Sequence, residues 1–186
     1  MQKHGQTDNW HDRAFFGLAY DLHAQARDTE LGAAVTHDLL RSAWQRTRPD
    51  SVTCDCKGHA GYTSYPTKVG YPSPGIVRDA LRIHRDVTRE LGIPLVMHYS
   101  GIMDAVAMER HSDWRRINAE GKEEPHACPR GAYLTELVIP QMLELIDEYD
   151  VDGFWVDGDL WATKPCYCQR CTSTFRAEYA SQFATV

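Results

Sequence analysis

The stretch SPGIVRDALRIHRDVTRELGIPLVMHYSG, residues 73–101, contains the pattern that decides the fold. Apolar residues recur at helical spacing through 73–94, and Gly92 and Pro94 mark where the predicted helix ends. Residues 94–100 are apolar first and polar last, which predicts a strand with polar groups at its carboxyl end. A helix that leads directly into such a strand is the repeating unit of a parallel α/β sheet.

This unit recurs along the whole chain. Strands are predicted near 14–22, 51–56, 94–100 and 152–157. Helices are predicted over 36–50, 73–94 and 133–150, with another beginning at 171. The long segment 102–132 is expected to be an irregular loop. The order βαβαβαβα predicts a parallel sheet with helical crossovers.

Two architectures share this order. One is a small doubly wound sheet, and the other is a (β/α)8 TIM barrel, of which four βα units are half. A complete barrel needs about 250 residues, whereas this chain has 186. The sequence also ends inside an amphipathic helix. We therefore expect residues 1–186 to form one partial catalytic barrel domain, a half-barrel fragment of the α/β class.

The composition restricts the classes of function. Hydrophobic residues make up 42% of the chain and charged residues 25%, as in a soluble globular protein. The net charge is −6 without a basic segment, which argues against nucleic-acid binding. The sequence shows neither an apolar run long enough to span a membrane nor a secretory signal, so we expect a cytoplasmic protein without membrane partners. In that compartment, six cysteines are typical of metal ligands or free thiols.

Ionisable and polar residues follow each predicted strand at its carboxyl end. They are Asp21 and His23 after the first strand, Asp55, Lys57 and His59 after the second, His98, Tyr99 and Ser100 after the third, and Asp157 and Asp159 after the fourth. In parallel α/β folds the active site lies at these strand ends, because adjacent loops converge there. Four strands that all end in such groups predict a site.

Asp157 is the best candidate for the catalytic group. It follows the aromatic run at Phe154 and Trp155 and precedes Gly158, which allows a sharp turn or the close approach of a ligand. A carboxylate beside aromatic residues suits attack on a sugar's anomeric carbon. Sugar rings stack on flat apolar faces, for which the candidates are Trp155, Trp161, Tyr99 and Trp114. The alternative is that Asp157 caps a turn and the tryptophans belong to the core.

Three cysteines follow the last strand in C-x-C-x-x-C spacing: Cys166, Cys168 and Cys171. This spacing brings three sulfurs around one point, as a tetrahedral zinc site requires. Cys128 is the best candidate for a fourth ligand, since its loop would neighbour theirs in a barrel, and Cys56 is a weaker one. Three free thiols near a loop are the alternative.

Several short motifs resemble those of family 29 α-L-fucosidases. KGHAGY (57–62) is similar to their K-H-H-D-G-F stretch, and YS (99–100) with DW (113–114) resembles the pattern that follows it. FWVDG (154–158) resembles their W-F-D-G, whose aspartate is the nucleophile. The resemblance implies that Asp157 is a nucleophile and that His59 contacts a sugar hydroxyl. Gly58 and Ala60 depart from the fucosidase pattern, so the sugar is left open.

The cysteine group instead resembles family 42 β-galactosidases, in which such cysteines join an earlier one on zinc. That resemblance implies a structural four-thiolate Zn²⁺ site made of Cys128, Cys166, Cys168 and Cys171. Residues 10–183 as a whole resemble the group called hypothetical glycosyl hydrolases. The resemblance covers the first half of such a barrel.

These observations lead to three hypotheses. The first is a retaining glycoside hydrolase in which Asp157 is the nucleophile and the acid/base comes from a later strand. Its carbohydrate substrate would contact Asp21, His23, Lys57, His59, His98, Tyr99, Trp155, Asp159 and Trp161. The second is a metal-dependent hydrolase with a catalytic ion on His23, His59, His98, Asp21 and Asp157. The third is a non-catalytic carbohydrate-binding module. Because a half-barrel exposes two sheet edges, a homo-oligomer is also expected.

Overall fold

A six-stranded, mainly parallel sheet forms the centre of the computed structural model, which describes residues 9–157, 164–179 and 182. The strands of this sheet are β1 (Gly17–Tyr20), β2 (Ser51–Lys57), β3 (Tyr62–Thr63), β4 (Tyr71–Pro72), β5 (Leu95–Ser100) and β8 (Gly153–Asp157). Two further strands are β6 (Arg115–Ile117) and β7 (Glu123–Ala127). β1, β2, β5 and β8 are parallel neighbours in that order. β3 and β4 extend the sheet from β2, while β6 and β7 form a separate antiparallel hairpin.

The helices follow the parallel strands in the chain. They are α1 (His37–Thr47), α2 (Ala80–Leu91), α3 (Ala105–Arg110), α4 (Ile139–Tyr149) and α5 (Gln169–Tyr179). α1 lies between β1 and β2, α2 between β2 and β5, α4 between β5 and β8, and α5 follows β8. The described chain is therefore a mixed α/β fold of four βα units, as the alternating sequence pattern predicts.

Local sequence signals explain where the crossover helices begin and end. Thr36 caps α1 by accepting a 3.2 Å hydrogen bond from the amide of Leu39, and Asp79 caps α2 by accepting one of 2.9 Å from Arg82. Gly92 ends α2 in the left-handed conformation, with φ of 68°. Glycine is common at the carboxyl end of helices because it has no side chain to clash in this conformation.

Two predictions about secondary structure were wrong. The helix expected over 73–94 begins only at Ala80, because the residues before Asp79 pair with an upstream segment instead: Val77 donates its amide hydrogen to the carbonyl of Leu31 at 3.0 Å. The segment 102–132, expected to be irregular, contains α3 and the β6–β7 hairpin. Pro140 lies in the first turn of α4, directly after a π-helical stretch at Leu134–Val138.

The core lies between the sheet and the crossover helices. Buried residues of β2 and β5 pack against buried residues of α1, α2 and α4, among them Val52, Leu95, Met97, Leu40, Trp44, Leu81, Val87, Leu145 and Tyr149. The carboxyl ends of the parallel strands carry polar groups. Within residues 9–157, 164–179 and 182, no helix is both long and apolar enough to cross a membrane.

An irregularity at the end of β2 changes the direction of its last side chain. Asp55 is paired with His98 of β5, whereas Lys57, two residues later, is paired with the next residue, Tyr99. β2 therefore accommodates one extra residue at Cys56, as in a β-bulge. Because residues paired across parallel strands share a face, Lys57 lies on the face of Tyr99, opposite Asp55 and His98.

The Lys57 ammonium is fully buried in a polar cluster behind the sheet. Its Nζ lies 2.9 Å from Asp104 Oδ2 and 3.1 Å from the hydroxyl oxygen of Tyr133. It also lies 4.7 Å from the centre of the Tyr99 ring, in a cation–π contact. Asp104 in turn caps α3 by accepting a hydrogen bond from the amide of Ala107 at 2.9 Å. The ion pair therefore joins the end of β2 to the start of α3.

We predict that Lys57→Met lowers the free energy of unfolding by about 3–5 kcal/mol, because it leaves the buried Asp104 carboxylate without its cation. Urea denaturation followed by circular dichroism measures this loss. Lys68→Met is the matched control, since the exposed Lys68 ammonium is paired with Glu148 in solvent, and it should leave the midpoint unchanged. Equal midpoints for the two variants would contradict a stabilising role for the buried pair.

Candidate functional site

Polar residues of three adjacent strands meet on one face of the sheet, at its carboxyl end. The strand register pairs Asp55 of β2 with His98 of β5, and His98 with Trp155 of β8. One step further along, Ser100 of β5 is paired with Asp157 of β8. Paired residues of parallel strands share a face, so the register alone brings these side chains together. We refer to this group, with Asp21, His23 and His59, as the strand-end cluster.

His98 is the centre of the strand-end cluster. Its Nδ1 lies 2.6 Å from Asp55 Oδ1, and its Nε2 lies 3.2 Å from Asp157 Oδ2. Burial lowers the pKa of His98, but the hydrogen bonds to the Asp55 and Asp157 carboxylates outweigh it and raise the pKa above its ordinary value. An imidazolium with a proton on each nitrogen can donate to both carboxylates at once. His98 therefore orients the Asp157 carboxylate.

Asp55 lies beneath His98 and is almost completely buried. Burial raises the pKa of this carboxyl to about 6, although the hydrogen bond and the positive charge of His98 act in the opposite direction. Its Oδ1 accepts the hydrogen bond from His98. Its Oδ2 has no hydrogen-bond partner among the described residues. Asp55 Oδ2 is thus available to bind a ligand.

Asp157 lies at the rim of the strand-end cluster, with about a third of its side chain exposed (36%). The His59 ring lies beside it, with Nε2 3.9 Å from Asp157 Oδ2. His59 Nδ1 lies 2.6 Å from Ser100 Oγ, and the Ser100 hydroxyl donates to the carbonyl of Met103 at 2.9 Å. Since the hydroxyl proton is used there, His59 Nδ1 is the donor to Ser100. About a third of the His59 side chain is exposed (35%).

The loop that carries His59 is held by the start of α3. The amide of Ala105 donates to the carbonyl of His59, and the amide of Val106 donates to that of Ala60, both at 3.1 Å. Gly61 has φ of 88°, and a Cβ at this position would overlap the Asp104 carboxylate. Only glycine combines this backbone conformation with such close contact. The buried pair of Lys57 and Asp104 therefore also positions His59.

Asp21 and His23 close the cluster on the side of β1. The His23 ring is stacked on the His98 ring, with centroids 5.4 Å apart and planes at 6°, and its centroid lies 5.2 Å from that of His59. His23 Nε2 is 2.8 Å from Asp21 Oδ1. The two atoms are not aligned for a hydrogen bond, since Nε2 is buried without a hydrogen-bond partner among the described residues.

Two of the three tryptophans expected to stack on sugar lie within the described residues, and they differ in position. Trp155 on β8 is half exposed (52%) and meets the His98 ring edge-on, with centroids 5.1 Å apart. Trp114 is buried and stacked on His111 at 3.8 Å, so it belongs to the core and cannot offer a face to a ligand. Asp159 and Trp161, also expected in the site, lie outside the described residues.

The structure corrects the expectation that Lys57 and Tyr99 contact a substrate. Both are fully buried on the helix-facing side of the sheet. Lys57 is turned there by the irregularity in β2, and the Tyr99 hydroxyl donates to Gln141 Oε1 at 2.7 Å. Strand alternation excludes Tyr99 from the face of its neighbour His98.

A cavity of about 490 Å³ lies beside His59. Its walls come from α3 and from the β6–β7 hairpin, and include Met103, Met108, Glu109, Arg115, Glu123 and His126. Sequence reasoning missed it because the hairpin was expected to be an irregular loop. The signal that could have revealed it is the pair of short charged segments, 115–117 and 123–127, separated by a turn at Gly121.

A second cluster contains the four cysteines expected to bind metal. Their sulfur atoms all lie within 4.8 Å of one another, with Cys128 Sγ 3.4 Å from Cys171 Sγ and 3.8 Å from Cys168 Sγ. In a tetrahedral site with Zn–S bonds of about 2.3 Å, the sulfurs are about 3.8 Å apart. The amide of Ile117 also donates to Cys166 Sγ at 3.5 Å. The donor set therefore fits a zinc ion.

The environment of these thiols is uneven. Burial raises the pKa of Cys128 to about 11 and also raises that of Cys171. Burial acts on Cys168 in the same direction, but hydrogen bonds from the Cys171 amide and from neighbouring thiols lower its pKa. Cys168 is therefore more acidic than Cys128 and Cys171.

No protein-family model matches this sequence, and no curated protein matches it. Solved structures do. The α-L-fucosidase isoenzyme 2 from Paenibacillus thiaminolyticus is 20% identical, with a TM-score of 0.76 over 89% of this chain and 26% of the fucosidase. A Thermotoga maritima α-fucosidase in complex with a mechanism-based inhibitor is 17% identical, with a TM-score of 0.51 over 81% of this chain and 33% of that one.

A third similar structure is a hypothetical protein from Ruminiclostridium thermocellum ATCC 27405, 12% identical, with a TM-score of 0.57 over 92% of this chain and 94% of that one. At such identities these likenesses show the fold. The chain spans about a quarter to a third of the fucosidases that it resembles. The resemblance to fucosidase barrel enzymes expected from the sequence is confirmed, and it covers part of their length.

We predict that iodoacetamide at pH 8 labels Cys166 and Cys168 of the native, chelator-treated chain but not Cys54 and Cys56. The first two are partly exposed, whereas Cys54 and Cys56 are buried and burial raises the pKa of both thiols. Peptide mass spectrometry measures the labelling of each site. Denatured protein, in which all six cysteines should react, is the control. Labelling of Cys54 as fast as that of Cys166 would contradict this prediction.

Proposed function

We propose that this chain contributes four βα units to a (β/α)8 barrel that hydrolyses an O-glycosidic bond. The parallel order of β1, β2, β5 and β8 and the likeness to parts of two fucosidases support this proposal. The observation that carries it is the position of Asp157. Its carboxylate is held by His98 at the carboxyl end of β8, beside the half-exposed ring of Trp155. Barrel enzymes place their reacting groups at this end of the strands.

In the proposed reaction Asp157 acts as the nucleophile of a retaining mechanism. Its carboxylate attacks the anomeric carbon while the bond to the leaving oxygen breaks, and an acid protonates that oxygen. Water, deprotonated by the same group, then releases the sugar from Asp157. We assign the acid/base to a later strand of the barrel. A nucleophile must be held in position, and His98 Nε2, 3.2 Å from Asp157 Oδ2, orients this carboxylate.

The same arrangement gives roles to the residues around Asp157. The exposed face of Trp155 suits stacking against a sugar ring, and Nε2 of His59 faces the position of a hydroxyl. Asp21 and His23 bound the site on the opposite side. Asp159 and Trp161 remain part of the proposal on the basis of their place in the sequence. The substrate class is therefore a carbohydrate, with the sugar left open.

We predict that 2,4-dinitrophenyl 2-deoxy-2-fluoro glycosides, in a panel that includes the α-L-fucoside, label the chain at Asp157. Dinitrophenolate leaves without an acid, and the fluorine slows hydrolysis of the glycosyl-enzyme, so this test needs the nucleophile alone. Mass spectrometry of the intact chain and of its peptides measures the added sugar and its position.

Asp157→Asn should reduce this labelling to background. Asp147→Asn, at an exposed position of α4, is the matched control and should label as the unmodified chain does. Equal labelling of the two variants, or attachment at another residue, would exclude Asp157 as the nucleophile.

We further propose that Cys128, Cys166, Cys168 and Cys171 hold a structural zinc ion. Four thiolates fill the tetrahedral coordination of zinc, so no position is left to activate water. Cys128 follows β7 directly, and the other three lie immediately before or within the first turn of α5. The ion would thus join the hairpin to the last helix. The close approach of the four sulfurs supports this assignment.

We predict one zinc ion per purified chain and its loss in Cys171→Ser, because three thiolates hold zinc less tightly than four. Elemental analysis of desalted protein measures the metal content. Cys54→Ser removes a buried thiol elsewhere and should keep the zinc. If Cys171→Ser retains a full equivalent of zinc, the four-thiolate site is refuted.

A further inference from the structure

Two buried ligand atoms belong to neighbouring side chains where β1 and β2 end. They are Nε2 of His23 and Oδ2 of Asp55, and neither has a hydrogen-bond partner among the described residues. The Asp55 side chain is 1% exposed, so Oδ2 is largely shielded from bulk water. Buried polar atoms nearly always have a partner, and leaving one unpaired is costly. Two such atoms within one cluster of side chains indicate that a ligand binds there.

The distances suit a metal ion. His23 Nε2 lies 2.8 Å from Asp21 Oδ1 and 4.0 Å from Asp55 Oδ1. One ligand atom from each of Asp21, His23, Asp55 and His98 falls within 4.8 Å of the others. Around an ion with ligands at about 2.0–2.2 Å, the ligand atoms are about 3–4 Å apart. Asp21 and His23 also approach each other without the alignment of a hydrogen bond, as two ligands of one ion do.

We propose that Asp21, His23 and Asp55 bind a divalent transition-metal ion at the carboxyl ends of β1 and β2. Two carboxylates supply the negative charge that such an ion requires, and the imidazole favours zinc, manganese, iron or cobalt over magnesium or calcium. His98 holds Asp55 in position by donating from Nδ1 to Oδ1, which leaves Oδ2 for the ion. Hydrogen bonds of this kind to a ligand commonly orient it and fix metal affinity.

The charges of the site agree with this placement. Asp21, Asp55 and Asp157 bring three carboxylates to one end of the sheet, and His98 is shared between two of them. A cation beside Asp21 and Asp55 balances the remaining negative charge and stabilises a carboxylate that burial otherwise disfavours. The position differs from the cysteine site in its donor atoms and in its place on the fold.

The role of the ion rests on the proposed glycosidase function, whereas its binding does not. Three protein ligands leave open positions on the ion, and vicinal hydroxyls of a sugar can occupy them. In that case Asp21 and His23 recognise the substrate through the metal instead of contacting it directly. The ion would lie beside Asp157 and would not replace it as the nucleophile.

Manganese binding followed by electron paramagnetic resonance tests the site. The chain is first given one equivalent of zinc, which the thiolates take up, and is then desalted. It is next titrated with Mn²⁺, whose free form gives a six-line signal that disappears on binding. We expect one Mn²⁺ bound per chain. His23→Gln and Asp55→Asn should weaken this binding at least tenfold, since each removes a ligand.

The control is His37→Gln, which alters an exposed histidine of α1 that lies 3.3 Å from Asp86 of α2. It should bind Mn²⁺ as the unmodified chain does. If the buried Asp55→Asn variant does not fold, Asp21→Asn replaces it, because that side chain is mostly exposed (69%). Absence of Mn²⁺ binding, or binding that Asp21→Asn and His23→Gln leave unchanged, overturns the proposal.

This outcome is independent of the glycosyl-labelling test. Mn²⁺ binding without labelling of Asp157 would leave the metal site standing and remove the glycosidase. Labelling without Mn²⁺ binding would leave the glycosidase and assign Asp21 and His23 to direct contact with sugar hydroxyls.

Discussion

The ion pair between Lys57 and Asp104 is the interaction on which the arrangement of the site depends. Both groups are completely buried, and neither would be stable there without the other. The pair joins the end of β2 to the capped start of α3, and α3 in turn holds the backbone of His59 and Ala60. A contact on the helix-facing side of the sheet thus fixes a loop on the opposite, ligand-facing side. Lys57, which the sequence suggested as a substrate contact, is a structural support for the site.

On the ligand-facing side, the parallel strand register does most of the assembly. Asp55, His98 and Asp157 come from three strands that are far apart in sequence. The pairing of β2, β5 and β8 places Asp55 beside His98 and Asp157 one step further along the same face. His98 contacts both carboxylates and so couples the position of the outer one to the buried one. This group is rigid because strands carry it. The surrounding groups, His59 and the hairpin, come from loops and are free to differ between proteins that share the fold.

Much of this layout follows from simple sequence patterns, and the exceptions have identifiable causes. Buried strands read as apolar runs, so their carboxyl ends, with His98 and Asp157, were found from the sequence. Lys57 was misplaced because a single extra residue at Cys56 reverses the face of everything after it, and no local signal reports such an irregularity. The position of Tyr99 could have been predicted correctly, since strand alternation alone places it on the face opposite His98. The β6–β7 hairpin was missed because its strands are short and charged, so their backbone pairing leaves no apolar pattern in the sequence.

The last helix is attached to the molecule in an unusual way. None of the residues of α5 is fully buried, and Phe175 and Tyr179 stay partly open to solvent. Its contacts include the group of four sulfurs, the backbone hydrogen bond from Tyr167 to Ile117, and the bond that Arg170 donates to the carbonyl of Arg130. Oxidation of the neighbouring Cys128 and Cys171 thiols to a disulfide would tie this helix covalently to the segment after β7. The redox potential of the surroundings is therefore one of the conditions that decide how firmly the last helix is held.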